Sequence, residues 1–178
     1  MELETCIRQR RSIRRFTEQE VSQKVLEEIV DAASWVPSWK NTQISRYIAI
    51  RDPAVREQIA QRFATFNAPI IQSCNVLIAQ TFVKARSGFE RDGSYSTDRC
   101  EGWQYYDCGI AAQTFCLAAR DRGLGTVILG IFDRPALEEY LQVPPEQELM
   151  ALIALGYPAQ EPDPPRRKDV SVLLKTLE

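Results

Sequence analysis

Five arginines, Arg8, Arg10, Arg11, Arg14 and Arg15, fall within eight residues around Ser12, in a chain whose net charge is -2. On a helix, Arg10 and Arg14, four positions apart, would share a face, as would Arg11 and Arg15, and each pair would repel. The run therefore predicts a short helix over residues 3–10 that fails near Ser12. A turn there lets guanidinium groups, the Ser12 hydroxyl and free backbone N–H groups converge on an anion such as phosphate, which arginine grips bidentately. The competing reading is a solvated basic face, the commoner fate of a charge run. On this segment alone both readings stand.

A length of 178 residues with 44% hydrophobic content is that of one domain, 1–178, with a sizeable core. The longest apolar runs, such as Val76-Leu77-Ile78-Ala79, fall far short of the ~20 residues of a membrane span, so no membrane is expected. The acidic start Met-Glu-Leu-Glu-Thr is unlike a secretory leader, and a cytoplasmic location is expected. Five cysteines without C-x-x-C spacing argue against both a disulfide framework and a thiol redox pair. Cys108 and Cys116 fall near one face of a helix, as core packing requires. With no histidine in the chain, mixed Cys/His zinc sites and Ser–His or Cys–His nucleophiles are excluded. Any redox chemistry must then come largely from a cofactor, and no metal site is expected.

Ser22 reads as the cap of a helix over 22–35 that Pro37 stops. Tyr47 to Ile50 reads as a strand, Asp52-Pro53 as the start of a helix running to about Phe63, and Asn75 to Phe82 as a strand buried on both faces. The polar stretch Lys84 to Arg99 lacks a period and is expected to be exposed and mobile. A long helix follows from about Glu101 to Arg122, its small residues allowing close packing within the core or against a second copy. Thr126 to Phe132 is expected as a strand broken by Gly130, then a helix after Asp133-Arg134-Pro135 to about Leu141, then a strand from Met150 to Leu155. The proline-rich stretch from Pro158 to Pro165 reads as a linker or arm that ends in Arg166-Arg167-Lys168. Neither a P-loop nor a G-x-G-x-x-G fingerprint is present.

Five segments in order carry a resemblance. They are Arg10-Arg11-Ser12-Ile13-Arg14-Arg15-Phe16; Val36-Pro37-Ser38-Trp39-Lys40-Asn41-Thr42-Gln43; Asp107-Cys108-Gly109-Ile110-Ala111-Ala112-Gln113; Gly123-Leu124-Gly125-Thr126; and Ala154-Leu155-Gly156-Tyr157-Pro158 leading to Pro165-Arg166-Arg167. Together they resemble the FMN-dependent nitroreductase family over about 160 residues. The resemblance implies an α+β fold of three layers, α/β/α, with a mixed, mostly antiparallel sheet flanked by helices. A carboxy-terminal arm, residues 159–178, from the partner of a homodimer would complete that sheet, with two FMN molecules at the interface.

On this resemblance Arg10, Ser12 and Arg14 hold the phosphate and ribityl end of FMN, with Arg11 adding contacts. Pro37, Ser38 and Asn41, with Trp39 between them, reach the flavin of the other subunit. Leu129 and Gly130 supply backbone close to the ring, where the absence of a side chain permits approach. Arg166 and Arg167 return to the phosphate. Phe89, Trp103, Tyr105 and Tyr106 are candidates for lining the acceptor pocket, with core packing the competing reading. The implied activity is ping-pong electron transfer from NADH or NADPH to a small-molecule acceptor such as a nitroaromatic or quinone, with flavin N5 rather than a side chain as the catalytic centre. Three rivals remain: flavin-dependent dehalogenation, cofactor fragmentation or dehydrogenation on the same fold; a flavin-binding protein without turnover; and a nucleic-acid module on the arginine run. An acidic pI near 5.4 weighs against the last, and no nucleic acid is expected. The sequence departs from the family where Gln43-Ile44-Ser45 stands in place of a Pro-Trp continuation, and where Trp39 and Lys40 replace small residues in the turn.

Overall fold

The computed structural model describes residues 1–177. Its regular elements are helices α1 (Leu3–Gln9), α2 (Gln23–Ser34), α3 (Pro53–Arg62), α4 (Ala68–Ser73), α5 (Gly102–Asp121), α6 (Arg134–Tyr140) and α7 (Val170–Leu173), and strands β1 (Ser45–Ile50), β2 (Val76–Val83), β3 (Gly125–Leu129) and β4 (Gln147–Gly156). Local chemistry sets most of the boundaries. The arginine run ends α1 at Gln9, before Ser12. Ser22 caps α2 through its side chain, which accepts from the Val25 N–H at 3.2 Å, and Asp52 caps α3 by accepting from Ala54 at 2.8 Å ahead of Pro53.

The four strands form one sheet in the order β1-β2-β4-β3, with every neighbouring pair antiparallel. The only parallel element in the described sheet region is the bridge from Ser12 to Thr126 on the outer edge of β3. Strand alternation then builds the layers. Leu77, Ala79, Leu152 and Ala154 face a cluster that includes Ile59 of α3, Ile71 of α4 and Leu137 of α6. Val76, Ile78, Ile153 and Leu155 face the opposite cluster, with Leu26 and Ile29 of α2 and Phe115 of α5. Both faces of β2 and β4 are thus covered, which is why the runs Val76 to Ala79 and Leu149 to Leu155 are apolar without alternation. The expected three-layer α+β architecture is present.

Three expectations need correction. β3 stops at Leu129 and does not reach Phe132. Beyond it Asn67 Nδ2 donates to the Ile131 carbonyl at 2.9 Å and the Asp133 N–H to the Phe63 carbonyl at 2.7 Å, drawing the chain away from the sheet toward the α3–α4 junction. Between α3 and β2 an unforeseen helix, α4, begins at Ala68-Pro69, where proline fits the first turn. Finally, the 84–99 stretch is irregular but not uniformly exposed: Ser87 is fully buried. Polar composition hid this anchor because the partner of Ser87 is a polar side chain in the interior.

Candidate functional site

Two regions flank the sheet at opposite edges. At the β3 edge the arginine run leaves α1 and crosses the strand, with the Ile13 N–H donating to the Thr126 carbonyl at 2.9 Å. Ile13 is buried against Gly125, so closely that a Cβ there would lie 2.5 Å from its Cγ1. This seat holds Arg10 and Arg11 beside a small cleft that they line with Arg120, Thr126 and Cys116. Arg11 also donates to the carbonyls of Arg8 and Arg10, at 2.6 and 3.0 Å.

Sequence reasoning missed Arg120. It projects from the last turn of α5, where nothing in a local pattern separates it from an ordinary helix-end cation. It pairs with Glu161 of the tail and donates to Gln9 at 3.2 Å, while its Nε is buried without a partner. An orphaned guanidinium N–H beside two more arginines is the donor set an anion satisfies. The charge is felt locally: burial pushes the Cys116 thiol up, opposed by its hydrogen bond to Thr126 and by Arg10.

The remaining members of the run diverge. Arg14 is exposed and donates to the Ser12 carbonyl at 3.3 Å, and Arg15 is exposed as well. Arg166 and Arg167 lie on the exposed tail, Arg167 donating to Pro165 at 3.3 Å, and the structure does not bring them to Arg10 within one protomer. Leu129 is buried, so only its backbone can face outward, whereas Gly130 is exposed and a Cβ built on it would meet nothing within 4 Å.

At the other edge lies the turn that follows α2. Lys40, Asn41 and Gln43 all adopt positive φ, at 45°, 56° and 49°. Such backbone costs of order 1–3 kcal/mol per non-glycine residue and persists only where the surroundings over-determine it. The surroundings are polar and specific. The Trp39 N–H donates to both carboxylate oxygens of buried Asp107, and the Gln43 N–H donates to Ser38 Oγ at 3.0 Å. Pro37 and Asn41 are exposed, with Asn41 Oδ1 accepting from Gln43 Nε2 at 3.1 Å.

The aromatic candidates separate into three places. Trp103 packs against Trp39 in a tilted pair at 4.5 Å between ring centres, and Tyr106 meets Trp103 edge-on at 5.7 Å. These two therefore join the turn. Phe89 pairs instead with Tyr95 inside the 84–99 stretch. Tyr105 packs edge-on against Phe82, away from the Trp39 group. Between α2, the turn and β1 runs a cleft of about 510 Å³, walled by Leu26, Val30, Val36, Ile44 and Tyr47 and reaching Asp107. The Tyr47 hydroxyl is buried there without a partner, and burial raises its pKa. β1 is the end strand of the sheet, so this cleft borders an edge with no strand beyond it among the described residues.

No helix in the described residues is long and apolar enough to cross a membrane. The family model described as Nitroreductase family matches residues 7–157. A proposed NADH dehydrogenase/NAD(P)H nitroreductase of Archaeoglobus fulgidus is 29% identical over 168 residues, covering 90% of each chain. The 5,6-dimethylbenzimidazole synthase of Rhodospirillum rubrum is 25% identical over 179 residues, covering 89% of this chain and 83% of that protein. Among solved structures, a proposed nitroreductase of Desulfovibrio desulfuricans in complex with FMN superposes with a TM-score of 0.79 at 29% identity, covering 100% of this chain and 98% of the other.

Proposed function

The chain belongs to the nitroreductase family, and from that premise we propose that it is an FMN-dependent oxidoreductase. It takes electrons from NADH or NADPH and passes them to nitroaromatics, quinones or related conjugated acceptors in a ping-pong cycle. The observation that carries this reading is the β3 edge, where Arg10, Arg11 and Arg120 line one narrow crevice and the Arg120 Nε is left without a partner. Glu161 pairs with Arg120 there, but Arg10 and Arg11 have no carboxylate partner among the described residues, and the phosphate of FMN would be the anion that they and the Arg120 Nε lack.

Arg10 and Arg11 would neutralise that phosphate, Ser12 and Arg14 would reach its ribityl side, and Arg120 joins them from α5. The backbone at Leu129-Gly130 would lie against the ring, where the open space over Gly130 leaves room. Bound FMN supplies the redox chemistry between nicotinamide and acceptor. The chain itself need supply no nucleophile, consistent with a sequence that contains no histidine.

The active form is a homodimer. Within one protomer the arm is spread in the open, with Val170, Val172, Leu173 and Leu174 each at least 65% exposed. A partner's arm laid along the free edge of β1 would bury those side chains in the apolar cleft beside α2 and satisfy the edge backbone. Arg166 and Arg167 are then placed by the assembly. The 37–43 turn would meet the flavin of the other subunit through Pro37, Ser38, Trp39 and Asn41, and Trp103 and Tyr106 would line the acceptor side.

The deciding experiment is an absorption spectrum of purified protein, apo and after reconstitution with FMN, followed by anaerobic addition of NADH and NADPH. Bleaching of the flavin bands by either nicotinamide, and their return on adding a quinone or nitroaromatic with parallel-line kinetics, is the expected result. A protein that binds no FMN sinks the reading. Flavin reducible by dithionite but inert to both nicotinamides would move the chain to storage or to specialised chemistry, such as the R. rubrum relative's name describes.

A further inference from the structure

We infer that Asp107 is a positioning residue whose one carboxylate sets both the 37–43 turn and the 84–99 segment, and thereby the geometry of the flavin site that the turn completes. The second half of this inference rests on the function proposed above; the first half does not.

Asp107 lies on α5 at 3% exposure. Among the described residues no lysine or arginine pairs with it. A buried carboxylate without a cation is expensive unless hydrogen bonds replace its water, and here they do. The Trp39 N–H reaches its two oxygens at 3.2 and 3.0 Å, and the Ser87 hydroxyl donates to Oδ2 at 2.5 Å. The Ser87 oxygen is in turn 2.6 Å from Thr42 Oγ1.

These bonds bracket two of the three left-handed residues. Trp39 immediately precedes Lys40 and Asn41, and Thr42, reached through Ser87, immediately follows them and precedes Gln43. Backbone with positive φ would relax if its flanks were free, and Asp107 holds both flanks of Lys40 and Asn41 from outside the turn, while Gln43 is held within it by Ser38. A carboxylate suits this task because it only accepts: both oxygens draw donors inward, whereas an asparagine would present an NH₂ to one of them. Through Ser87 the same group fixes the 84–99 segment, which the Lys40–Glu90 bridge ties to the turn a second time. Substrate-side segment and partner-facing turn are therefore one unit on a single buried anchor.

The test compares full-length dimer, with and without FMN, as wild type, Asp107→Asn, Ser87→Ala and Thr42→Val. Amide exchange at Trp39 is the readout that needs no flavin. Asp107→Asn should speed exchange at Trp39 at least tenfold while β2 and β4 keep wild-type protection. Ser87→Ala and Thr42→Val, which leave the carboxylate in place, should speed it about threefold and loosen the 84–99 segment. In the holoprotein Asp107→Asn should raise the FMN dissociation constant at least tenfold, with the reduction rate constant of the flavin still bound within twofold of wild type. Wild-type protection of β2 and β4 in the same variant excludes general loss of stability, which would also raise the apparent dissociation constant.

Unchanged Trp39 exchange in Asp107→Asn overturns the anchor. Faster exchange with unchanged FMN affinity overturns its link to the flavin site. If Asp107→Asn loses protection throughout the sheet, the two milder variants decide, and wild-type Trp39 exchange in both overturns the proposal. A wild-type protein that ignores FMN refutes the proposed function, and Trp39 exchange then still decides the anchor.

Discussion

Lys40 and Glu90 close an ion pair across 50 residues of sequence, with Nζ 2.7 Å from Oε1, so the strained turn and the 84–99 segment meet at their exposed surfaces as well as at their buried ends. Glu90 also accepts from the Ser96 hydroxyl at 2.6 Å. The Lys40 bond, then the Ser96 bond, hold the Glu90 carboxyl below its ordinary range. A depressed carboxyl contributes stability above its unfolded pKa and loses it as pH falls through the folded value. The bridge should therefore persist throughout neutral pH and open only in acid below the usual carboxylate range. Glu90→Gln should reproduce the acid state at pH 7: faster amide exchange over 84–99, little change in melting temperature because the pair is solvent-screened, and added salt reducing the difference from wild type.

Gly125 tests the seat of the arginine run. A Cβ at that position would fall 2.5 Å from Ile13 Cγ1 and 2.8 Å from its Cβ. Ile13 is fully buried and cannot swing aside, so the 10–16 segment must lift from β3. Gly125→Ala should cost about 1–3 kcal/mol in urea unfolding, typical of overpacking. It should also weaken FMN binding by pulling Arg10 and Arg11 off the cleft. Wild-type stability would show that the segment is loosely held.

How much of this could be read in the chain varies with the range of the interactions. Local signals worked: like-charge crowding ended α1, Ser22 and Asp52 capped their helices, and the apolar runs of β2 and β4 announced a sheet covered on both faces. The segments that carried the resemblance contain the turn and the arginine run. What stayed hidden depends on distant partners. Arg120 meets Gln9 across 111 residues, and Ser87 meets Asp107 across 20, so no window around either residue shows why it matters. The end of β3 was misplaced for the same reason, since the bonds that turn the chain away come from Phe63 and Asn67.

The five cysteines are all free, and four of them are buried; Cys100 alone is partly accessible. One thiol should react quickly with a disulfide reagent in the native protein and five after denaturation. Burial pushes Cys108 up to about 12 and Cys74 up to about 11 from the ordinary 9.0. For a group raised on folding, the stability it contributes is complete below the unfolded pKa and is lost as pH climbs toward the folded value. Urea midpoints should accordingly hold between pH 7 and 8 and fall from pH 9 upward. A second fast-reacting thiol at neutral pH would contradict the burial of the other four.

Removing residues 159–178 should leave the sheet intact, because the described part of that segment is exposed throughout and adds nothing to either core cluster. Within the protomer the deletion removes the Arg120–Glu161 pair and the Ala159 N–H bond to the Arg15 carbonyl; the other proposed losses are intermolecular. Sedimentation should shift from dimer toward monomer, and FMN should dissociate more readily because Arg166 and Arg167 leave with the arm. Dimer stability and flavin retention both at wild-type levels would remove the arm from the interface.

Gly130 separates flavin contact from folding. In contrast to Gly125, a Cβ built at Gly130 meets nothing within 4 Å, and its φ lies outside the left-handed region. Gly130→Ala should therefore fold with stability within about 0.5 kcal/mol of wild type, as surface substitutions do when they disturb no packed group. If the backbone there lies against the flavin ring, the added methyl group occupies space the ring needs. Fluorescence titration should then show a weakened FMN complex, and flavin that does bind should have shifted visible bands. Undisturbed flavin affinity and spectrum in Gly130→Ala would place the ring elsewhere, since the protomer itself offers the methyl group no obstacle.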